Sequence, residues 1–146
     1  MVDLFPDLTI ELAEHCKAQG LDTSKVTSAI KDMLGADSIV DFSIWSGPVP
    51  KHGENLVLDV FILGTNYLYN YERRPSEMAH ALPLWRVDFL TFMPVSGEAD
   101  LYVLLISHPG KSSPFYLWTR SQGLDRVKRF RQSLLLAMEK SRKEKD

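Results

Sequence analysis

Apolar positions recur at helical spacing over the first 35 residues and at strand spacing after residue 37. Leu8, Leu12, Ala13 and Cys16 fall on one face of a helix that Asp7 or Thr9 can cap, that runs through about Ala18 and that Gly20 stops. Val26, Ala29, Ile30, Met33 and Leu34 repeat the pattern, with Asp22 or Thr23 as cap and Gly35 as stop. Together these segments predict a short helical hairpin.

From residue 38 onward aromatic and β-branched residues dominate and the period becomes two. Strands are predicted over 38–46, 55–63, 67–72, 84–93, 100–107 and 114–120. The breaks between them, GPVPKHGE, GTN, RRPSEMAHALP, PVSGEA and HPGKSS, collect Gly, Pro, Ser and Asn, which favour turns. Connections this short imply antiparallel neighbours. The strand 55–63 is apolar on both faces, with Leu56, Leu58, Val60 and Ile62 against Val57, Phe61 and Leu63. A sheet with one wet side does not need this. The pattern predicts an α+β fold: a helical hairpin, then six or more antiparallel strands in a bent sheet, sandwich or barrel, then a covering helix. Val127, Phe130, Leu134, Ala137 and Met138 stripe that last helix, expected from about Leu124 to Ser141, and the lysine-rich end is expected to fray.

A chain of 146 residues, 45% hydrophobic and 25% charged, has the make-up of one soluble globular domain. No apolar run nears the roughly 20 residues of a membrane span, and MVDLFPDL lacks the features of a secretory leader. Cys16 is the only cysteine, which rules out an intramolecular disulfide and a cysteine-rich zinc site. The expected location is the cytoplasm, with peripheral attachment to a membrane as the alternative. The formal charge of -2 hides a split: residues 120–146 carry nine bases against four acids, +5, so the rest carries -7. An anionic partner for the basic end and an internal match of surfaces both explain this. The internal match is favoured, because residues 1–37 hold seven acids and three bases.

The run Val60-Phe61-Ile62-Leu63-Gly64-Thr65-Asn66-Tyr67-Leu68-Tyr69-Asn70-Tyr71, followed by Leu82-Pro83-Leu84 and the stretch Val87 to Phe92, resembles the pleckstrin-homology superfold and its GRAM-like branch. The resemblance covers about residues 38–141. It implies a PH-like barrel closed by the C-terminal helix, and a recruiting module rather than an enzyme. The chain departs from that pattern in two places. The helix tryptophan is replaced by Phe130, with Trp118 on the preceding strand, and the first hairpin offers only Lys51 where phosphoinositide-binding members place several bases.

In a six-stranded meander the first, third and fifth connections share one end. That places Lys51, His52, Arg73, Arg74, His80, His108 and Lys111 on one rim, where charge-assisted hydrogen bonds suit an anionic headgroup, phosphopeptide or acidic segment. Lys51, His52, Arg73, Arg74 and Lys111 are the candidate ligand-binding set; loop charges that serve only solubility, partly offset by Glu54, Glu72 and Glu77, are the plainer explanation. The basic outer face of the last helix fits a solvated surface better than nucleic acid, because Glu139, Glu144 and Asp146 interrupt it. Its Leu136 hints at a protein contact. The aromatics Trp45, Tyr67, Tyr69, Tyr71, Trp85, Tyr102, Tyr116 and Trp118 sit at strand spacing and are expected in the core.

Catalytic chemistry has little support in the sequence. His15, His52, His80 and His108 show no metal-ligand spacing, Ser107 and His108 are adjacent and so point to opposite faces, and Cys16 is expected to be buried and inert. Asp59 and Asp88 lie in apolar strands, where burial raises a carboxyl pKa. The expectation is a non-enzymatic module without cofactor or metal that recruits a protein partner or an anionic surface, its oligomeric state open. Two alternatives remain: an NTF2- or cystatin-like cone with a small-molecule pocket, which predicts an Asp–His pair in a cavity and a terminal strand, and a dimeric secretion or assembly chaperone.

Overall fold

The computed structural model describes residues 3–49, 56–74, 76–109 and 114–145, with the backbone alone described at Arg74, Ser76 and Lys145. Two compact units divide the chain, Met1–Ala81 and Leu82–Asp146. From the sequence their formal charges are 6 bases minus 12 acids, -6, and 11 minus 7, +4.

In the first unit, α1 (Phe5–Gln19) and α2 (Thr23–Leu34) form the predicted hairpin. α1 starts earlier than its polar residues suggest. Leu4 occupies the N-cap position without a side-chain cap, Pro6 stands in the first turn, and Asp3 Oδ1 instead accepts from the N–H groups of Phe5 and Ile39. Neither Asp7 nor Thr9 caps; the Thr9 hydroxyl donates back to the Phe5 carbonyl at 2.9 Å. Gly20 ends the helix in the left-handed region at φ 69°, a conformation that glycine adopts at little steric cost because it has no Cβ. α2 is capped by Asp22, whose carboxylate accepts from the Ser24 and Lys25 N–H groups.

Four antiparallel strands follow in the order β1 (Asp41–Pro48), β2 (Leu56–Leu63), β3 (Tyr67–Arg74), β4 (Ser76–Pro83). β4 corrects the sequence expectation, which placed RRPSEMAHALP in a loop. Its Glu, Ala and Ser have low strand propensity, and as the outer strand it leaves most of its side chains exposed, so little apolar alternation marks it. Register places Phe42, Ile44 and Ser46 beside Ile62, Val60 and Leu58, and these beside Tyr69, Tyr71 and Arg73. This face packs on the helix pair, with Leu8, Leu12, Cys16, Val26, Ile30 and Leu34 closing the core. Two polar links fix the α1 side: Gln19 Nε2 donates to the Val57 carbonyl, and His15 Nδ1 shares a hydrogen bond with Ser46 Oγ. On the opposite face Val57, Phe61, Leu63 and Leu68 are buried with Asp59 and Asn70. The prediction that β2 is apolar on both sides thus holds.

The second unit contains a 3-10 turn (Leu84–Arg86), a sheet in the order β5 (Phe89–Pro94), β6 (Tyr102–Ser107), β7 (Phe115–Thr119), and α3 (Leu124–Lys145). Val127, Phe130, Leu134 and Met138 are buried along α3, the stripe expected from spacing. The strands form a four-stranded and a three-stranded sheet, so the closed PH-like barrel is not observed: the hydrogen-bonded ladder stops between β4 and β5. The segment between these strands explains the break. Pro83 leads into the 3-10 turn, so residues 84–88, expected as strand, stand outside β5. Among the described residues no helix is long and apolar enough to cross a membrane.

Candidate interaction surface

β5 is positioned from both ends. The Val87 N–H closes the 3-10 turn onto Leu84, and the Arg142 guanidinium of α3 donates to the carbonyls of Val87 at 2.7 Å and Asp88 at 3.3 Å. The Asp88 N–H then bonds to Ser107 of β6. At the far end Val95 N–H reaches Leu101, and Asp100 takes the left-handed conformation at φ 58° that the turn needs. The Asp100 carboxylate accepts from the Ser121 N–H at 3.0 Å, tying the turn to the 3-10 turn Ser121–Gly123 that precedes α3. Hydrogen bonds from the Ser121 hydroxyl and N–H hold this carboxyl below the usual carboxylate range.

On one face of the sheet the cross-strand rows are Phe89–Ser107, Thr91–Leu105–Tyr116 and Met93–Val103–Trp118. Tyr116 and Trp118 stack with ring centroids 5.7 Å apart and planes 10° from parallel. Val103 and Trp118 are buried and Leu105 and Tyr116 half-buried, while Phe89 remains 59% and Met93 43% exposed. Exposure thus rises toward β5, one of the two outer strands of this sheet. Just before it Trp85 is 47% exposed, with the Arg86 guanidinium 5.9 Å from its ring. Three of the nine exposed large apolar side chains among the described residues therefore fall within positions 85–93. Among the described residues β5 pairs with β6 alone, and residues 89–97, FLTFMPVSG, carry no charge. Soluble proteins ordinarily blunt such an edge with lysine, proline or a bulge, and here only Pro94, at the last position, does so.

The basic rim is assembled only in part. Lys51, His52 and Lys111 lie outside the described residues, and of Arg74 only the backbone is described. Register does put the β1–β2 connection and the β3–β4 turn at one end of the first sheet, since Pro48 pairs with Leu56 and Leu58 with Arg73. Arg73 is 40% exposed and stands 3.8 Å from the Glu77 carboxylate, which accepts from the Tyr71 hydroxyl at 2.6 Å. Burial and that bond push the Tyr71 phenol up to about 12. Such a half-exposed ion pair contributes little to stability, but it offsets the charge of Arg73. β4 also changes the count of connections: the one holding His108 and Lys111 is the sixth, not the fifth, and His80 lies inside a strand. The alternation that joined them to Arg73 therefore no longer applies.

Other candidates resolve individually. Asp59 is fully buried at the centre of β2, but Asp88 is exposed after the 3-10 turn, so the two carboxylates do not share a setting. Cys16 is buried, and burial raises its thiol pKa against the opposing pull of a Thr23 hydrogen bond and Arg73. Among the described residues no group of three or more His, Cys, Asp or Glu is arranged to hold a metal ion. Trp45, Tyr69, Tyr71 and Trp118 are buried as expected, whereas Trp85 and Tyr67 are exposed. The last described element is a helix, where the cone alternative expects a strand.

Sequence reasoning missed the exposure of β5 because its apolar residues look like core. The signal was present in the nine uncharged positions ending at a Pro-Val-Ser-Gly turn. Comparison with protein-family models, curated proteins and solved structures finds no match.

Proposed function

We propose that this chain is a non-enzymatic binding module that recruits a protein partner through the open edge and exposed face of β5. The supporting observation is an uncharged apolar strand that pairs, among the described residues, with β6 alone and leaves Phe89 and Met93 exposed. Two physical gains favour a protein there. Apolar area leaving water contributes about 25 cal/mol per Å², and an incoming strand satisfies edge N–H and C=O groups along the ladder. Aromatic and methionine side chains are enriched where proteins meet. Arg73 and Arg74 supply the rival attraction, toward an anionic surface.

A photo-crosslinking side chain at Thr91, in cells producing the full chain, tests the proposal. The expected result is one discrete protein adduct, identified by mass spectrometry, and none when the same group replaces exposed Asp32 on α2. No adduct at Thr91, or equal labelling from both sites, overturns it. Flotation with phosphoinositide-bearing vesicles reports the rival: co-flotation that Arg73→Ala with Arg74→Ala abolishes, without an adduct at Thr91, moves the function to the rim.

A further inference from the structure

We infer that the partner completing β5 is a second copy of this chain, joined by antiparallel β5–β5 pairing across a two-fold axis centred on Thr91. This rests on the proposed role of β5 as an interface and names its occupant.

Symmetry is the first argument. In a two-fold pairing a strand meets itself, so any charged residue at its centre faces a like charge, which destabilises the pair. β5 carries none, and the bases of this unit lie mostly on α3. Register is the second. A two-fold axis perpendicular to the sheet keeps each face on its own side, so paired residue numbers must differ by an even number or be equal. Centred on Thr91, the pairing sets Phe89 against Met93 twice on the exposed face, Leu90 against Phe92 twice on the other, and Thr91 against Thr91. A thioether beside an aromatic ring and a Thr–Thr pair are both favourable contacts. Pro94, which has no N–H to donate, falls opposite Asp88 and just outside the paired stretch. The three-stranded sheet becomes six-stranded, with both open β5 edges removed.

Area sets the strength. A phenylalanine buries at least ~150 Å² in full, so Phe89 and Met93 of two copies together add roughly 400 Å², well below the ~1,200 Å² of a standard stable interface. The dimer is therefore reversible and depends on concentration.

Sedimentation velocity on the purified full chain over a hundredfold concentration range tests this. The expected result is a shift from one-chain toward two-chain mass as concentration rises. Thr91→Lys, which puts two ammonium groups face to face, is expected to weaken association at least tenfold while leaving the circular dichroism and thermal midpoint unchanged. Phe89→Lys and Met93→Glu are each expected to weaken it, and the double variant to recover it, because each introduced ammonium group then meets an introduced carboxylate of the second copy. A chain that stays monomeric throughout, a dimer indifferent to Thr91→Lys, or a double variant no better than its singles overturns the inference. A monomeric chain that still gives a foreign adduct at Thr91 removes only the second copy; a chain with neither adduct nor dimer removes the interface as well.

Discussion

β2 and β5 are both predominantly apolar and lie in opposite environments. LVLDVFIL runs between two neighbours in the first sheet, and all its residues but Leu56 are buried, whereas FLTFMP runs along the outside of the second and leaves every side chain at least partly exposed. Hydrophobic strand residues thus become core or contact surface according to the strand's place in the ladder. In β2 the apolar side chains hold the fold together; in β5 they remain partly or largely exposed.

The largest expected effect separates the strands directly. Ile62→Ala in β2, at a fully buried site, is expected to cost about 2–5 kcal/mol in urea unfolding. Met93→Ala in β5 is expected to stay within about 0.5 kcal/mol, as an exposed substitution does. Equal costs would erase the distinction between core and interface.

Next comes the turn that ends β2. A Cβ on Gly64 would collide with Asp37 Oδ2 and crowd the Tyr69 ring, so Gly64→Ala is expected to cost about 1–3 kcal/mol by forcing that carboxylate aside. Asp37 accepts from the N–H groups of Ser38 and Thr65 and from the Tyr69 hydroxyl at 2.8 Å. Burial pushes its pKa up, but the hydrogen bonds outweigh burial and leave it below the ordinary range. The folded state then binds this proton less readily than the unfolded chain. The associated stability is present above about pH 4 and is lost as pH falls through the folded value. Asp37→Asn is expected to cost about 1 kcal/mol at neutral pH and to flatten the acid limb of a stability profile between about pH 2 and 5.

The smallest effect lies at His15. Burial lowers its pKa, with Glu11 and Glu14 opposing, so the folded chain resists protonation more than the unfolded one. Stability from this site is complete above about pH 6.5 and declines as pH falls below it. His15→Gln, retaining a partner for Ser46, is expected to remove a decline of a few tenths of a kcal/mol between about pH 7 and 5 in thermal melts, while β5 contacts stay unaffected.

Much of the first unit was legible because its periodicities are strong. Leu8, Leu12 and Cys16 mark α1, Val26, Ile30 and Leu34 mark α2, and the Asp22 cap and Gly20 stop stand where local chemistry puts them. β4 was hidden because an exposed outer strand has no need of apolar alternation, and the α1 start because Asp3 satisfies Phe5 from outside the helix. The division into two sheets depends on Pro83 and the 3-10 turn after it, a local conformation that alternation alone does not reveal. β5 as a surface was unreadable for a related reason. Phe89 and Met93 have the spacing of core residues, and only the absence of a second neighbouring strand among the described residues distinguishes them from Val60 and Ile62.

Amide hydrogen exchange of β2 and β5, followed in one sample series as protein concentration is raised, tests the interface most directly. Slowing of exchange in residues 89–93 with concentration, and unchanged exchange in residues 58–62, is the predicted result. Exchange in residues 89–93 that is fast and independent of concentration in the purified chain, and equally fast when cell extract is added, would contradict it.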